Sequence, residues 1–304
     1  GYDVHIAGYT VEGFGTRATY WKNGQMIRLG DARFQSELFA LVVAGSTVFV
    51  AGRESNGTNN VARYWKNGTA FSLTTGQSGA TATGIALSGS TVCISGFEFG
   101  TAANAARTWS TAGVVSLSDG TVNAVANAIA VSGPDVHVAG YQMSGPVLVA
   151  RYWKNGTGTN LGGGTFFSSA AAVCLSGSDV YLAGYESNGS KRIARYWKNG
   201  MAVSLTSGAQ DAELFGIQVV GSDVYAVGYE SDGTKRIAKY WINGVPGQLS
   251  TGPEDAEARG LCVFGTDLHV VGYEKSAGVS VARCWKNGTA SSLSDGVQNA
   301  VARA

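Results

Sequence analysis

Short apolar stretches alternate with polar turns along the whole chain, and none of them follows the 3.6-residue period of an amphipathic helix. Between residues 179 and 222, the stretches 179–185, 193–197, 201–205 and 214–220 are rich in apolar, β-branched and aromatic residues, and turns or polar loops separate them. Runs of this length and composition are typical of β-strands. The pattern predicts four antiparallel strands joined as a meander.

The same unit recurs every 44 residues. Seven tryptophans mark it without one insertion: Trp21, Trp65, Trp109, Trp153, Trp197, Trp241 and Trp285. Repeats of this length are typical of solenoids and propellers. Both faces of the predicted strands are apolar or small, so each sheet needs cover on both sides, and radially packed blades provide it. We therefore predict an all-β fold: a seven-bladed β-propeller of four-stranded antiparallel blades.

The repeats predict one domain over residues 1–304. The blade repeats are 3–46, 47–90, 91–134, 135–178, 179–222, 223–266 and 267–304, the last completed by residues 1–2. The chain stops inside a predicted fourth strand and begins with the strand that would follow it. We therefore expect the N- and C-terminal strands to pair in one blade and close the ring. A monomer is expected. Four repeat positions are missing at this seam, and the alternative is an assembly in which a neighbouring molecule supplies them.

Composition argues against several classes of function. The net charge is +1 and only 14% of residues are charged, so we expect no basic surface that would bind nucleic acid. Apolar runs are interrupted within a few residues, so no membrane insertion is expected. The cysteines lack metal-ligand spacing and the histidines share one repeat position with aromatic residues, so we predict no metal and no cofactor. No phosphate loop or catalytic triad is recognisable, and we expect no enzyme. A hydrolase or lyase with carboxylates at the ring axis is a lesser alternative.

Glutamate and arginine recur beside the tryptophan. Glutamate ends the predicted first strand in five repeats, and arginine or lysine lies two residues before the tryptophan in six. The first repeat has Thr10 and Thr19 at these positions, and this joint loss indicates that the two positions interact. The set resembles that of fucose-type propeller lectins, which implies candidate sugar sites at Glu186, Arg195 and Trp197 and at Glu230, Lys239 and Trp241. We favour the alternative, in which the tryptophans pack between sheets and the charges form ion pairs.

Asn-Gly-Thr and Asn-Gly-Ser triplets occur at Asn56, Asn67, Asn155, Asn188 and Asn287. They match the glycosylation acceptor pattern, but each also lies in a turn that needs Asn-Gly for its backbone conformation. Turn formation is sufficient to explain them.

The connections of the repeat fall into two classes. The Lys-Asn-Gly and Gly-Ser turns are uniform, whereas the loops equivalent to 186–192 and 206–213 vary. In a propeller the two classes open on opposite faces, and variable loops on a rigid frame commonly carry binding. Ordinary solvated loops are the alternative. The candidate ligand-binding residues on this face are Phe14, Phe34, Phe99, Phe166, Phe167, Lys191, Arg192, Asp211, Glu213, Lys235, Arg236, Glu254 and Asp255.

The segments DVYLAGYESNG and ARYWKNG resemble a repeat of uncharacterised bacterial secreted or surface proteins of presumed propeller fold. The resemblance covers the whole chain. It implies an extracellular or bacterial cell-surface location and carries no activity. The third repeat departs most, with RTWSTAG at 107–113 where others have YWKNG. We predict a non-enzymatic interaction scaffold that recognises a protein or polymer through the variable-loop face, with a carbohydrate-binding propeller as the alternative.

Overall fold

The computed structural model describes residues 2–13 and 15–304, and every regular element within them is a β-strand. The bounds are β1 His5–Glu12, β2 Gly15–Lys22, β3 Gln25–Arg28, β4 Ser36–Ala44, β5 Thr47–Ser55, β6 Asn60–Lys66, β7 Thr69–Ser72, β8 Ala80–Ser88, β9 Thr91–Phe99, β10 Asn104–Ser110, β11 Gly113–Ser116, β12 Ala124–Ser132, β13 Asp135–Ser144, β14 Val147–Lys154, β15 Thr157–Asn160, β16 Ser168–Ser176, β17 Asp179–Ser187, β18 Arg192–Lys198, β19 Met201–Ser204, β20 Ala212–Val220, β21 Asp223–Ser231, β22 Arg236–Ile242, β23 Val245–Gln248, β24 Ala256–Phe264, β25 Asp267–Ser276, β26 Val279–Lys286, β27 Thr289–Ser292 and β28 Ala300–Ala302.

These strands form seven four-stranded antiparallel sheets, the blades of a β-propeller. Six blades follow chain order, from β4–β7 to β24–β27, and the seventh has the order β28-β1-β2-β3. Ala7 and Ala304 exchange backbone hydrogen bonds of 2.6 and 3.2 Å beside this junction. The N- and C-terminal strands therefore share one blade and close the ring, as predicted.

The blade boundaries differ from the predicted repeats 3–46, 47–90 and their equivalents by one strand. The stretch 214–220, predicted as the last strand of repeat 179–222, lies in β20 and is the first strand of the next blade. Val220 pairs with Asp223 across a two-residue turn in which Gly221 has a φ of 61°. A turn this tight forces its flanking strands to pair, whereas the longer segment 205–211 allows the chain to pass between blades.

The chain groups into two compact units. One comprises residues 1–145, 152–159 and 304, and the other comprises residues 146–151 and 160–303. The prediction of a single domain over 1–304 stays a prediction.

The repeated Asp-Val and Trp-Lys-Asn-Gly segments form one hydrogen-bonded cluster. Asn199 and Gly200 both have positive φ, 50° and 85°, which a two-residue hairpin requires. The Asn199 Oδ1 accepts from the Val180 amide at 2.9 Å, and its Nδ2 donates to Asp179 at 2.8 Å. Lys198 pairs with the same Asp179 at 2.9 Å. Asn67, Asn155 and Asn287 make equivalent backbone contacts, so turn formation accounts for their triplets.

The altered turn of the third repeat also closes a hairpin. Ser110 pairs with Gly113 across Thr111-Ala112, and the Ser110 hydroxyl accepts a hydrogen bond from the Ala112 amide at 3.2 Å. A serine hydroxyl thus stabilises the turn where other repeats use asparagine.

Five of the tryptophans lie in core clusters with residues of the preceding blade: Trp65, Trp109, Trp153, Trp241 and Trp285. Trp241, on β22, packs against Tyr181, Ala183 and Ala194 of the preceding blade. Trp153 packs in the same way, and its indole N–H donates to the Leu117 carbonyl at 3.0 Å. Small alanines let the large rings approach the adjoining sheet. Burial of one such ring stabilises the fold by a few kcal/mol.

Glycine in the Ala-Gly-Tyr segment follows from a bulge in the first strand of the blades that follow chain order. The pairing of β20 with β21 shifts register between Leu214 and Gly216. A Cβ on Gly228, opposite this bulge, would lie 1.9 Å from the Glu213 carbonyl oxygen, so no side chain fits there.

Candidate functional site

The connections of each blade separate by type between its two ends. In the blade β16–β19, the tight turns β16–β17 and β18–β19 lie at one end. The hairpin loop 188–191 and the crossing segment 205–211 lie at the other. We name these the turn end and the loop end. The antiparallel order confirms the predicted grouping of variable loops within each blade.

Two loop-end hairpins in the unit of residues 160–303 present consecutive basic residues. In the first, the Asn188 Oδ1 accepts from the amides of Ser190 and Lys191 at 3.0 and 2.8 Å. In the second, Asp232 accepts equivalent bonds from Thr234 and Lys235 at 2.9 and 3.0 Å. Hydrogen bonds from Thr234 and Lys235 lower the pKa of Asp232 to about 2. These contacts fix the backbone conformation of both hairpins.

Arg192 is the first residue of β18 and makes three contacts. Its amide donates to Asp211 at 3.0 Å, and its Nη1 donates to Glu213 at 2.7 Å. The guanidinium carbon lies 4.6 Å from the centre of the Tyr185 ring, within cation–π range. Burial raises the pKa of Glu213, and Arg192 opposes that shift.

Arg236 repeats this environment one blade later. Its amide donates to Asp255 at 2.8 Å, its Nη1 donates to Glu257, and its guanidinium lies 4.8 Å from the Tyr229 ring centre. Two arginines 44 positions apart are thus oriented by the same three kinds of contact. The aspartate fixes the backbone, while the glutamate and the aromatic ring orient each guanidinium group.

Glu257 is the most enclosed charge of this cluster, with 0% of the residue exposed. Its Oε2 lies 2.5 Å from Nη2 of Arg259, and its Oε1 accepts from Arg236. The Arg259 guanidinium stacks on the Phe215 ring at 4.6 Å. Burial raises the pKa of Tyr273 to about 12, and the neighbouring Glu257 charge adds to the shift. Removing Glu257 would therefore leave two guanidinium groups without a shared counter-ion.

An open cleft of about 350 Å³ lies beside Arg192 and Arg236. We name it the loop-end cleft. Its charged and aromatic lining is Arg192, Asp211, Tyr229, Lys235, Arg236 and Asp255. Polar groups of both signs thus face one volume, and the size falls within the range of ligand sites.

Seven of the predicted loop residues line this cleft or contact a residue that does: Lys191, Arg192, Asp211, Glu213, Lys235, Arg236 and Asp255. Glu254 instead accepts a hydrogen bond from the Gly278 amide at 2.8 Å, in the next hairpin. Tyr185, Tyr229 and Arg259 were not predicted. Only their placement beside Arg192, Arg236 and Glu257 gives them a role.

The predicted aromatic residues are distributed differently from the charged ones. Phe166 and Phe167 are 44% and 48% exposed, and the Phe166 ring lies over Gly189 of the hairpin in its own blade. In the other unit, Phe34 packs against Gly57, and Phe99 is exposed with its ring edge-to-face to Phe97 at 5.4 Å. Phe14 lies outside the described residues.

The recurring glutamate and arginine do interact, as their joint loss indicated. Glu186 pairs with Arg195, and Glu230 lies 2.6 Å from Lys239. In the blade that lacks both charges, the hydroxyls of Thr10 and Thr19 are hydrogen-bonded at 3.0 Å. A buried polar pair thus replaces the ion pair.

The candidate sugar sites at Glu186, Arg195, Trp197 and at Glu230, Lys239, Trp241 lack an open aromatic face. Trp197 and Trp241 are 0% and 1% exposed. A ring this deeply buried cannot stack on a sugar, so the packing interpretation of these two tryptophans holds.

A second cleft, of about 370 Å³, lies in the unit that contains residues 1–145. Leu73, Thr74, Glu98, Trp109 and Val114 contribute to its lining. Val114 directly follows the altered stretch 107–113 of the third repeat. The Glu98 carboxylate pairs with Arg107 at 3.0 Å and borders this volume.

Comparison with known proteins yields fold similarity alone. No protein-family model matches the sequence, and no curated protein matches it. Among solved structures, the chain is similar to the β-propeller domain of the trilobed protease from Pyrococcus furiosus, with 10% identity and a TM-score of 0.56. The similarity covers 98% of this chain and 93% of that one. That domain is described as having an open velcro topology. At this identity the likeness carries the propeller fold and no activity.

Two further findings concern ligands and membranes. Within residues 2–13 and 15–304, no three histidine, cysteine, aspartate or glutamate side chains lie close enough together to hold a metal ion. The same residues include no helix long and apolar enough to cross a membrane.

Proposed function

We propose that the protein is a non-enzymatic interaction module that recognises a protein or polymer through the loop ends of its blades, at the cell surface or outside the cell. The observation that supports this most is the loop-end cleft, where two repeat-equivalent arginines are oriented by aromatic rings and carboxylates. Side chains fixed before binding lose little conformational entropy when a partner arrives.

The blades supply the rigid frame that such a site needs. Buried tryptophans hold neighbouring sheets together, and the uniform turns repeat one hydrogen-bonded cluster. Variation is concentrated in the loop-end segments, which is the usual division between frame and recognition surface.

The experiment compares capture of partners from a native extract by two matched double variants. Phe167→Ser with Lys235→Ser changes the loop end, and Met201→Ser with Lys198→Ser removes the same two kinds of side chain near the turn end. Met201 is 77% exposed, so its loss should not disturb the core. We expect the first variant to lose capture and the second to retain it. Equal capture by both, with unchanged melting temperatures, would refute the proposal.

A carbohydrate-binding propeller remains the second candidate, and the cleft beside Glu98 and Trp109 favours it. Its lining combines the Glu98 carboxylate, hydroxyl groups and Trp109, which suits a sugar ring. Glu98→Gln should then weaken binding to a glycan array, whereas Glu230→Gln should not. Array binding that is unchanged by Glu98→Gln would contradict this candidate.

A further inference from the structure

The loop-end cleft offers hydrogen-bond donors in a fixed geometry. The side chains of Arg192 and Arg236 remain 45% and 47% exposed although each is stacked and paired. Among the contacts described for each, one carboxylate approaches, through Nη1. A guanidinium has five N–H donors in a planar fork, so each arginine keeps donors for a ligand. Lys235 lines the same volume. This edge of the cleft favours an anionic group with two oxygens, such as a carboxylate.

The same cleft also contains fixed acceptors. Asp211 and Asp255 line it, and each uses one oxygen to accept the backbone amide of Arg192 or Arg236. Their second oxygens have only longer contacts, 3.4 Å to Lys191 and 3.7 Å to Lys275. An ionised carboxylate accepts about four hydrogen bonds, so both can take donors from a ligand.

Together these two sets of groups restrict the chemistry of the ligand. The side chains of a uniformly acidic peptide would satisfy the arginines, but they carry only acceptors and have no hydroxyl to donate to the two aspartates. An apolar segment finds little matching surface, because the lining is mainly charged or hydroxyl-bearing. A sugar acid meets both requirements: its carboxylate accepts from the guanidinium groups, and its neighbouring hydroxyls donate to the aspartates.

We propose that the loop-end cleft binds a uronate unit of an acidic polysaccharide, an inference that rests on the proposed polymer-binding function and makes it more specific. The carboxylate lies against Arg192 and Arg236, and ring hydroxyls donate to Asp211 and Asp255. The ligand's ring lies among polar side chains rather than on an exposed tryptophan, because Tyr229 is already covered by Arg236.

Calorimetric titration of the full chain with tetragalacturonate tests this, with maltotetraose and tetraglutamate as comparison ligands. We expect binding of tetragalacturonate and much weaker binding of the other two. Arg236→Gln should weaken the affinity roughly ten- to hundredfold, the range for hydrogen bonds to charged groups. Lys198→Gln removes the same charge near the turn end and should leave the affinity unchanged.

Asp211→Asn should change the affinities for the two acidic ligands, tetragalacturonate and tetraglutamate, in opposite directions. The amide oxygen preserves the bond to the Arg192 amide, so the fold is retained. For a uronate, weaker acceptance of the hydroxyls should lower the affinity roughly threefold or more. For an acidic peptide, the loss of a negative charge should raise it.

Three outcomes overturn the inference. They are no binding of tetragalacturonate, a loss of affinity in Lys198→Gln equal to that in Arg236→Gln, or a gain in affinity for tetragalacturonate in Asp211→Asn. Tetraglutamate that binds as well as tetragalacturonate assigns the cleft to acidic peptides instead. If tetragalacturonate does not bind while the loop-end double variant still loses its partner, the ligand class is wrong and the proposed function stands.

Discussion

Replacement of Glu257 by glutamine tests whether the buried charge cluster is a structural part of the loop end. The carboxylate is wholly enclosed and serves Arg236 and Arg259 at once. Glutamine keeps the shape of the side chain but removes the charge. Both arginines then lose their counter-ion, while the surrounding packing stays the same.

The expected cost follows from how each arginine is placed. Loss of one partner of a buried ion pair costs about 3–5 kcal/mol, and the partial exposure of Arg259 reduces its share to about 2 kcal/mol. Arg236 is nearly half exposed and can be hydrated, so its share is about 0.5–1 kcal/mol. The sum is about 3 kcal/mol, which lowers the melting temperature by roughly 5 °C for a chain of this length.

Thermal unfolding of four variants measures this cost. Glu230→Gln is the matched control, because Glu230 has one partially exposed partner, Lys239, and its loss should cost about 1 kcal/mol or less. In the background of Arg259→Gln, Glu257→Gln should cost about 2 kcal/mol less than in the native chain. A cost below about 0.5 kcal/mol, or strictly additive effects of Glu257→Gln and Arg259→Gln, would refute the reasoning.

Three further predictions concern the frame and the pH dependence of stability. Burial raises the pKa of Tyr273 from 10.0 to about 12, so the unfolded chain ionises first and the free energy of unfolding falls as pH rises across this window. Tyr273→Phe should remove about 2–3 kcal/mol of that fall. If the free energy of unfolding of the variant, measured with urea, falls with pH as steeply as that of the native protein, the prediction is wrong. Trp241→Ala should destabilise the protein by about 3–5 kcal/mol, since its indole fills the space between two blades; a loss under 1 kcal/mol in denaturant melts would show that the blades close around the cavity. Thr19→Val should cost about 1–2 kcal/mol because it leaves the Thr10 hydroxyl buried without this partner, and addition of Thr10→Val should recover part of the loss; strictly additive losses would argue against their pairing.

The repeat made the fold predictable from the sequence, but it did not show which strand begins each blade. Seven evenly spaced tryptophans and alternating apolar strands were enough for the number of blades and the closure through the terminal strands. The predicted boundaries were one strand out of place, because a periodic sequence has no intrinsic starting point. The decisive feature was local: the two-residue turn at Gly221-Ser222 pairs its flanking strands, whereas 205–211 does not.

Only those residues of the candidate site that recur at equivalent positions of the repeat could be predicted. Arg192 and Arg236 occupy equivalent positions, so their similar surroundings follow from the 44-residue period. Arg259 was missed because its position holds Phe39, Thr83 and Phe215 in other repeats, and no shared residue type marks it. The stack of Arg236 on Tyr229 depends on side-chain direction at a strand end, which the alternation of apolar and polar residues does not specify.

The most direct test of loop-end recognition places a photo-crosslinking amino acid at one end of a blade at a time. The probe replaces Thr234 in the hairpin beside the loop-end cleft, or Met201 beside the Asn199-Gly200 turn, and the protein is irradiated in native extract. Loop-end recognition predicts a discrete covalent adduct from position 234 and none from position 201. An adduct from position 201 alone, or from neither position, would contradict it.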